Sequence, residues 1–230
     1  LIFSLNYQSL QKLYESTEPP GCPGLPAVLL DPKIKLCYSM DLKLALAELK
    51  NYQQTDPSTM EALKTNNSSL VSVQQLKFIY SKQGGEDHKR TADWLMSQWK
   101  ENLNLFIPTE SQENKIFVTN LEQDPPSLFR KGLSPERPTC AAVLENFLPD
   151  HPENYLKMNL KDLPLIVSKM LQVERSNNGS IYSKNKPLQK LCSEGLEIIK
   201  NSFQVIPTGP IYFSMLLKKS WTGLKINELN

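Results

Sequence analysis

Catalysis needs a nucleophile, a base, a metal cage or a charged cradle, and the residues able to build one are sparse here. The two histidines are His88 and His151. His88 follows Asp87, but adjacent helical residues point to different sides, so the pair does not make a base with its orienting carboxylate. No Ser or Cys can be nominated as a matching nucleophile. The chain also lacks the G-x-S-x-G elbow, the G-x-x-x-x-G-K-S phosphate loop, G-x-G-x-x-G and H-E-x-x-H. Cys22, Cys37, Cys140 and Cys192 stand at wide, unequal spacings without a C-x-x-C pair. No metal, no cofactor and no enzymatic activity are expected. Buried thiols are the plainer expectation for the four cysteines, with up to two disulfides open to them in an oxidising compartment. One segment is better suited to recognition: Phe129-Arg-Lys-Gly-Leu-Ser-Pro-Glu-Arg-Pro-Thr139 crowds charges, glycine and two prolines between apolar runs. Such loops carry binding sites more often than core segments do. A solvated connector stiffened by proline would have the same composition.

Composition narrows the partners. With 26 Lys+Arg against 24 Asp+Glu over 230 residues, the net charge of +2 gives no field suited to nucleic acid. Hydrophobic residues at 40% and a mean hydropathy of −0.39 describe a polar but foldable domain. The longest apolar stretch, 206–217, is broken by Pro207, Gly209 and Pro210 and falls short of the roughly 20 residues that span a bilayer, so direct membrane insertion is not expected. Residue 1 lies within an apolar-periodic segment without the features of a secretory leader; for an exported protein the leader would be removed or lie outside this chain. The N-x-S triplets at Asn66, Asn67 and Asn178 are of a kind that arises by chance at this length.

The elements that must position any site follow from periodicity. Residues 1–14 carry apolar side chains at helical spacing until the Pro/Gly-rich stretch 18–26 stops them. Asp41 is placed to cap a second helix running through Leu42, Ala45, Leu46 and Leu49, followed by a polar loop over 53–69. Residues 76–80 read as a buried strand, 81–85 as a turn, and Glu86 and Asp87 as the acidic first turn of a helix with Ala92, Leu95, Met96, Trp99 and Leu103 on one face. Asn104 is a plausible helix stop, and a second strand is expected at 105–107. This β-α-β unit predicts parallel strands and a right-handed crossover. A final helix over 188–200, with Leu188, Leu191, Cys192 and Ile199 inward, leads to strand material over 203–217. The pattern is that of an α/β domain.

The run from Asp87 through His88 and Trp94 to Trp99-Lys-Glu-Asn-Leu103 resembles a segment of the oligopeptide-binding proteins of bacterial ABC importers, the extracellular solute-binding protein family 5. There a strand, a turn with a His and a helix end in Trp-Lys-x-Asn-Leu-Gly; Asn104 replaces the final Gly. In the same order, residues 1–10, 20–26 and 42–51 resemble the family's opening helix, Pro/Gly loop and next helix. Gln112-Glu-Asn-Lys-Ile-Phe117 resembles its Q-E-W-x-x-F, Phe129-Arg-Lys-Gly-Leu133 its x-R-x-G-W, and Val205-Ile-Pro207 through Trp221-Thr-Gly-Leu-Lys-Ile-Asn227 its closing region. The shared order over nearly the whole chain carries the resemblance.

It implies one lobe of a type II-like periplasmic-binding-protein fold, a mixed sheet flanked by helices. Residues 1–230 would form a single C-terminal ligand-binding lobe, with the N-terminal lobe absent from this chain. The implied partners are an oligopeptide ligand, that N-terminal lobe and an ABC permease, with an extracytoplasmic location. A peptide offers an ammonium and a carboxylate, so its receptor needs an acidic and a basic partner. The resemblance puts Glu136 at the ammonium position and Arg130 and His88 at carboxylate positions, with Arg137 an additional charge beside Glu136. The plain alternative for Glu136 is a surface ion pair with Arg137. Leu133 and Asn114 stand where relatives have Trp, which points to a changed ligand preference, a non-peptide solute, or an interaction module of the same fold that no longer binds peptide. Cys140 falls near a cysteine that some relatives pair with a partner that here would precede residue 1.

Overall fold

The acidic first turn and apolar stripe read between 86 and 103 do form one long helix. The computed structural model describes residues 1–14, 21–23, 25, 29–55, 76–137, 139–176 and 185–208, in two units: Leu1–Gly21 with Cys37–Lys131, and Cys22–Leu36 with Gly132–Asn230.

In the first unit, helix α1 spans Tyr7–Leu13, α2 Leu42–Thr55 and α3 Gly85–Leu103. Helix α4 spans Asn114–Gln123, and strands β1, β2 and β3 span Phe78–Ser81, Thr109–Gln112 and Leu128–Arg130. The strands form one sheet in the order β2-β1-β3, with both pairings parallel. The expected β-α-β unit is present, but its second strand lies further along. Leu105 and Ile107 are buried as core plugs, whereas the ladder pairs Phe78 with Thr109, opened by the Phe78 N–H donating to Pro108 O at 2.9 Å. The strand Thr-Glu-Ser-Gln is half-buried throughout, so it has no apolar alternation to read.

Helix α3 buries Thr91, Ala92, Trp94, Leu95, Trp99 and Leu103. Removing side chains such as Trp99 and Leu95 from water contributes roughly 2 kcal/mol each before entropy. Asn104 stops the helix as expected: it adopts the left-handed conformation (φ 52°, ψ 37°), and the Leu105 N–H reaches back to Trp99 O at 3.2 Å. The single helix expected over 1–14 is instead a 3-10 turn at Ile2–Ser4 followed by α1. Asn6 leaves the helical conformation so that its side chain can accept from the Ser9 N–H at 3.3 Å. Asp41 caps α2, accepting from Leu44 N–H at 3.0 Å. Of Leu42, Ala45, Leu46 and Leu49 on α2, Ala45 is buried, Leu42 and Leu49 are half-buried, and Leu46 is 49% exposed. The small alanine marks the line of close contact and the leucines flank it.

In the second unit, α5 spans Cys140–Glu145, α6 Leu163–Ser176 and α7 Lys186–Asn201. Thr139 caps α5 through Ala142 N–H at 3.2 Å, and Asn185 caps α7 through Leu188 N–H at 3.2 Å. Leu29 and Leu36 join Leu144, Leu163, Val167, Met170, Leu188 and Leu196 in one core. Helix α7 does turn Leu188, Cys192 and Ile199 inward, with Leu191 partly buried. Gly195 lets α5 approach α7, since a Cβ there would lie 2.5 Å from a Leu144 methyl. The thiol expectation fails: Cys140 and Cys192 are disulfide-bonded with Cα atoms 5.8 Å apart, and Cys22 and Cys37 are also disulfide-bonded. The partner of Cys140 is thus within the chain, on a helix that only the tertiary fold brings near. Residues 203–208 form no strand, and the rest of the expected strand material lies outside the described residues, as does most of the loop expected at 53–69.

Candidate functional site

Because all three strands run parallel, Ser81, Gln112 and Arg130 end at one edge of the sheet. The chain goes from β1 to β2 on one side and then crosses to β3 on the other, so its winding reverses at β1. In open α/β sheets such a reversal leaves a crevice beyond the carboxyl ends of the strands, where ligands bind. Side-chain alternation assigns the polar groups. Tyr80, Ser111 and Arg130 are in register on one face; Ser81 and Gln112 are on the other.

On the Ser81 face, the Ser81 hydroxyl donates to Asn114 Oδ1 at 3.0 Å. Asn120 Nδ2 donates to Gln112 Oε1 at 3.0 Å, and Gln112 Nε2 to Glu110 Oε1 at 2.7 Å. Glu110 also takes the Lys77 ammonium, whose hydrogen bond holds its carboxyl below the usual range. Asn114, at the first position of α4, is therefore engaged by the sheet.

The Tyr80 face is different. Here Arg130 is half-buried, and its Nη1 is sealed from solvent with no hydrogen-bond partner among the described residues. Burial pushes the guanidinium pKa down, offset by Tyr14 and Asp87 nearby, and an arginine so placed still carries its charge at neutral pH. His88 packs edge-on to Tyr80, ring centroids 6.5 Å apart, and its Nδ1 lies 3.0 Å from Ser81 O. A Cβ on Gly84 would lie 2.1 Å from three atoms of the His88 ring, so a larger residue there would displace the ring. Gly84 offers no side chain to cap α3, and the Gly85 N–H at its first position donates instead to Lys82 O in the preceding turn. The turn is fixed from behind: the Thr91 hydroxyl donates to Asp87 O at 2.8 Å and accepts from the Tyr14 hydroxyl, whose oxygen lies 3.0 Å from the same carbonyl.

Among the residues singled out from sequence, His88, Asn114 and Arg130 thus meet at one edge of the first unit. Leu133, Glu136 and Arg137 belong to the second. Leu133 and Glu136 are exposed, and Glu136 makes no ion pair or hydrogen bond among the described residues. Arg137 does not pair with Glu136; its Nη2 is 2.7 Å from Glu145 Oε2 on α5. Sequence reading missed Ser81, Gly84, Tyr14 and Thr91. The Gly-Gly pair four residues before a histidine was the available signal for Gly84.

No protein-family model matches the chain, and no curated protein matches it. Solved structures do. A peptide-binding protein of a peptide ABC transporter aligns with 90% of this chain and 86% of its own, at a TM-score of 0.59 and 11% identity. The fold is that of solute-binding proteins. MppA, a periplasmic murein tripeptide-binding protein in its unliganded open form, aligns with 86% of this chain at a TM-score of 0.54 and 16% identity. A periplasmic oligopeptide-binding protein, OppAIV from Borrelia burgdorferi, aligns with 86% at 0.53 and 15%. The chain spans about a third of the length of the last two, 36% and 35%. At these identities the likeness is one of fold. Within the described residues, no helix is long and apolar enough to cross a membrane.

Proposed function

We propose that this chain is the C-terminal ligand-binding lobe of an extracytoplasmic solute-binding protein that captures oligopeptides for an ABC permease. The observation that carries the reading is Arg130: a half-buried guanidinium, its Nη1 without a hydrogen-bond partner among the described residues, at the carboxyl edge of a parallel sheet. The rest of this half-buried guanidinium fork remains open to a partner, and a carboxylate is the group whose planar geometry matches such a fork. Asp87, in the first turn of α3, is near enough to act on its charge, and His88 follows it against Tyr80, the residue in register with Arg130. On the second unit Glu136 is exposed and unpaired among the described residues, and the resemblance alone proposes it as an ammonium partner. The four disulfide-bonded cysteines fit an oxidising compartment. The function proposed is binding.

The test is calorimetric titration of a tri- to pentapeptide pool into the full native protein, with Arg130→Met and Glu136→Ala alongside. Binding weakened about tenfold or more in each variant is expected. A folded protein that gives no heat with peptide would favour the second reading, an interaction module of the same fold. That reading draws on Asn114, whose side chain is already engaged by Ser81.

A further inference from the structure

The His88 ring is held in one orientation. A carbonyl oxygen only accepts, so the contact of Nδ1 with Ser81 O at 3.0 Å requires the proton to sit on Nδ1. The neutral ring therefore carries its lone pair on Nε2, which has no hydrogen-bond partner among the described residues. Rotation to exchange the two nitrogens would break the Ser81 bond and the edge contact with Tyr80. Gly84 under the ring leaves room for this one position.

Resting on the peptide-binding reading above, we propose that His88 is a specificity residue that changes the sign of its preference with protonation. Neutral, its Nε2 accepts from a ligand N–H and repels a carboxylate; protonated, it donates to a carboxylate and reinforces Arg130. Histidine is the side chain whose ordinary titration, at about pH 6.5, divides these two states within the physiological range. The other ionisable groups on the surrounding elements include Tyr80 on β1, Arg130 on β3, Tyr14 behind α3, and Glu86, Asp87, Lys89, Arg90 and Asp93 on α3 itself. Lys82 in the turn is paired with Glu113 at 3.3 Å. His88 is the imidazole among them, so a reversal of ligand preference there belongs to it.

The experiment compares a tripeptide with its C-terminal amide, titrated into the full native protein at about pH 5.5 and about pH 8. The preference for the free carboxylate over the amide is expected to rise about tenfold at the lower pH, the value of one charge-assisted hydrogen bond. His88→Phe, which keeps an aromatic ring against Tyr80, should make that ratio independent of pH. Gly84→Ala, which keeps the histidine but displaces its ring, should do the same. A wild-type ratio that does not change with pH, or a change that persists in His88→Phe, overturns the proposal while leaving peptide binding intact. Absence of binding to both peptides at both pH values removes the peptide reading, and this proposal with it.

Discussion

A residue's chemistry in this protein is set by what surrounds it more than by its type. Arg130 and Arg137 are seven positions apart and equally charged, yet one leaves a sealed donor unpaired and the other is satisfied by Glu145 on the surface. Sequence could nominate both and could not separate them, because burial and the reach of Glu145 are properties of the fold. The tyrosines make the same point and a testable one. Tyr7 and Tyr38 stack with centroids 6.2 Å apart in the first unit, and both are buried. Burial pushes Tyr38 up to about 12, and pushes Tyr7 higher still with Tyr38 adding to the effect. An unfolded tyrosine ionises at about pH 10, so above that pH the unfolded chain releases protons that the folded one keeps. Stability is therefore intact below about pH 10 and falls as pH rises through about 12. Urea midpoints measured stepwise over this range should decline, and less so in Tyr38→Phe. A flat profile would contradict the neutral buried pair.

At the scale of elements, legibility followed hydrophobic periodicity. Helix α3 and helix α7 could be read because their buried stripes repeat at helical spacing over 19 and 16 residues. Strand β2 could not, because its residues are polar and half-buried while the apolar residues just before it plug the core without joining the ladder. The break between Ile2–Ser4 and α1 was hidden for another reason: the apolar spacing continues through it, and only the capping role of Asn6 reveals it. The helix stop at Asn104 was legible because few residues accept φ 52°. Asn104→Gly should preserve or slightly raise stability. Asn104→Val should lower it by about 1–2 kcal/mol, since a β-branched side chain is strained in the left-handed region. Thermal melts of the two variants beside wild type decide it, and equal melting temperatures would mean that the terminus relaxes out of the observed conformation.

For the whole molecule, sequence carried the α/β class and the order of the elements, while the covalent framework stayed out of sight. Four cysteines allow three pairings, and no spacing rule selects among them. In the folded chain Cys140 and Cys192 are both fully buried, linking α5 to α7 across 52 residues of sequence in the core of the second unit. Closing a loop of that size lowers the entropy of the unfolded chain by an amount equivalent to about 4 kcal/mol, a large share of the stability of a small unit. Replacing both cysteines by alanine should therefore loosen α5–α7 while leaving α3, whose core lies in the other unit, unaffected. Hydrogen exchange read segment by segment tests this directly. Amides of α6 and α7 should exchange faster by an order of magnitude or more in the double variant, and those of α3 should keep their wild-type rates. Equal acceleration in α3 would show that the two units unfold as one. Unchanged rates in α7 would show that the packing of Leu144 against Gly195, with Leu163, Met170 and Leu188 around it, holds the second unit without its covalent bond.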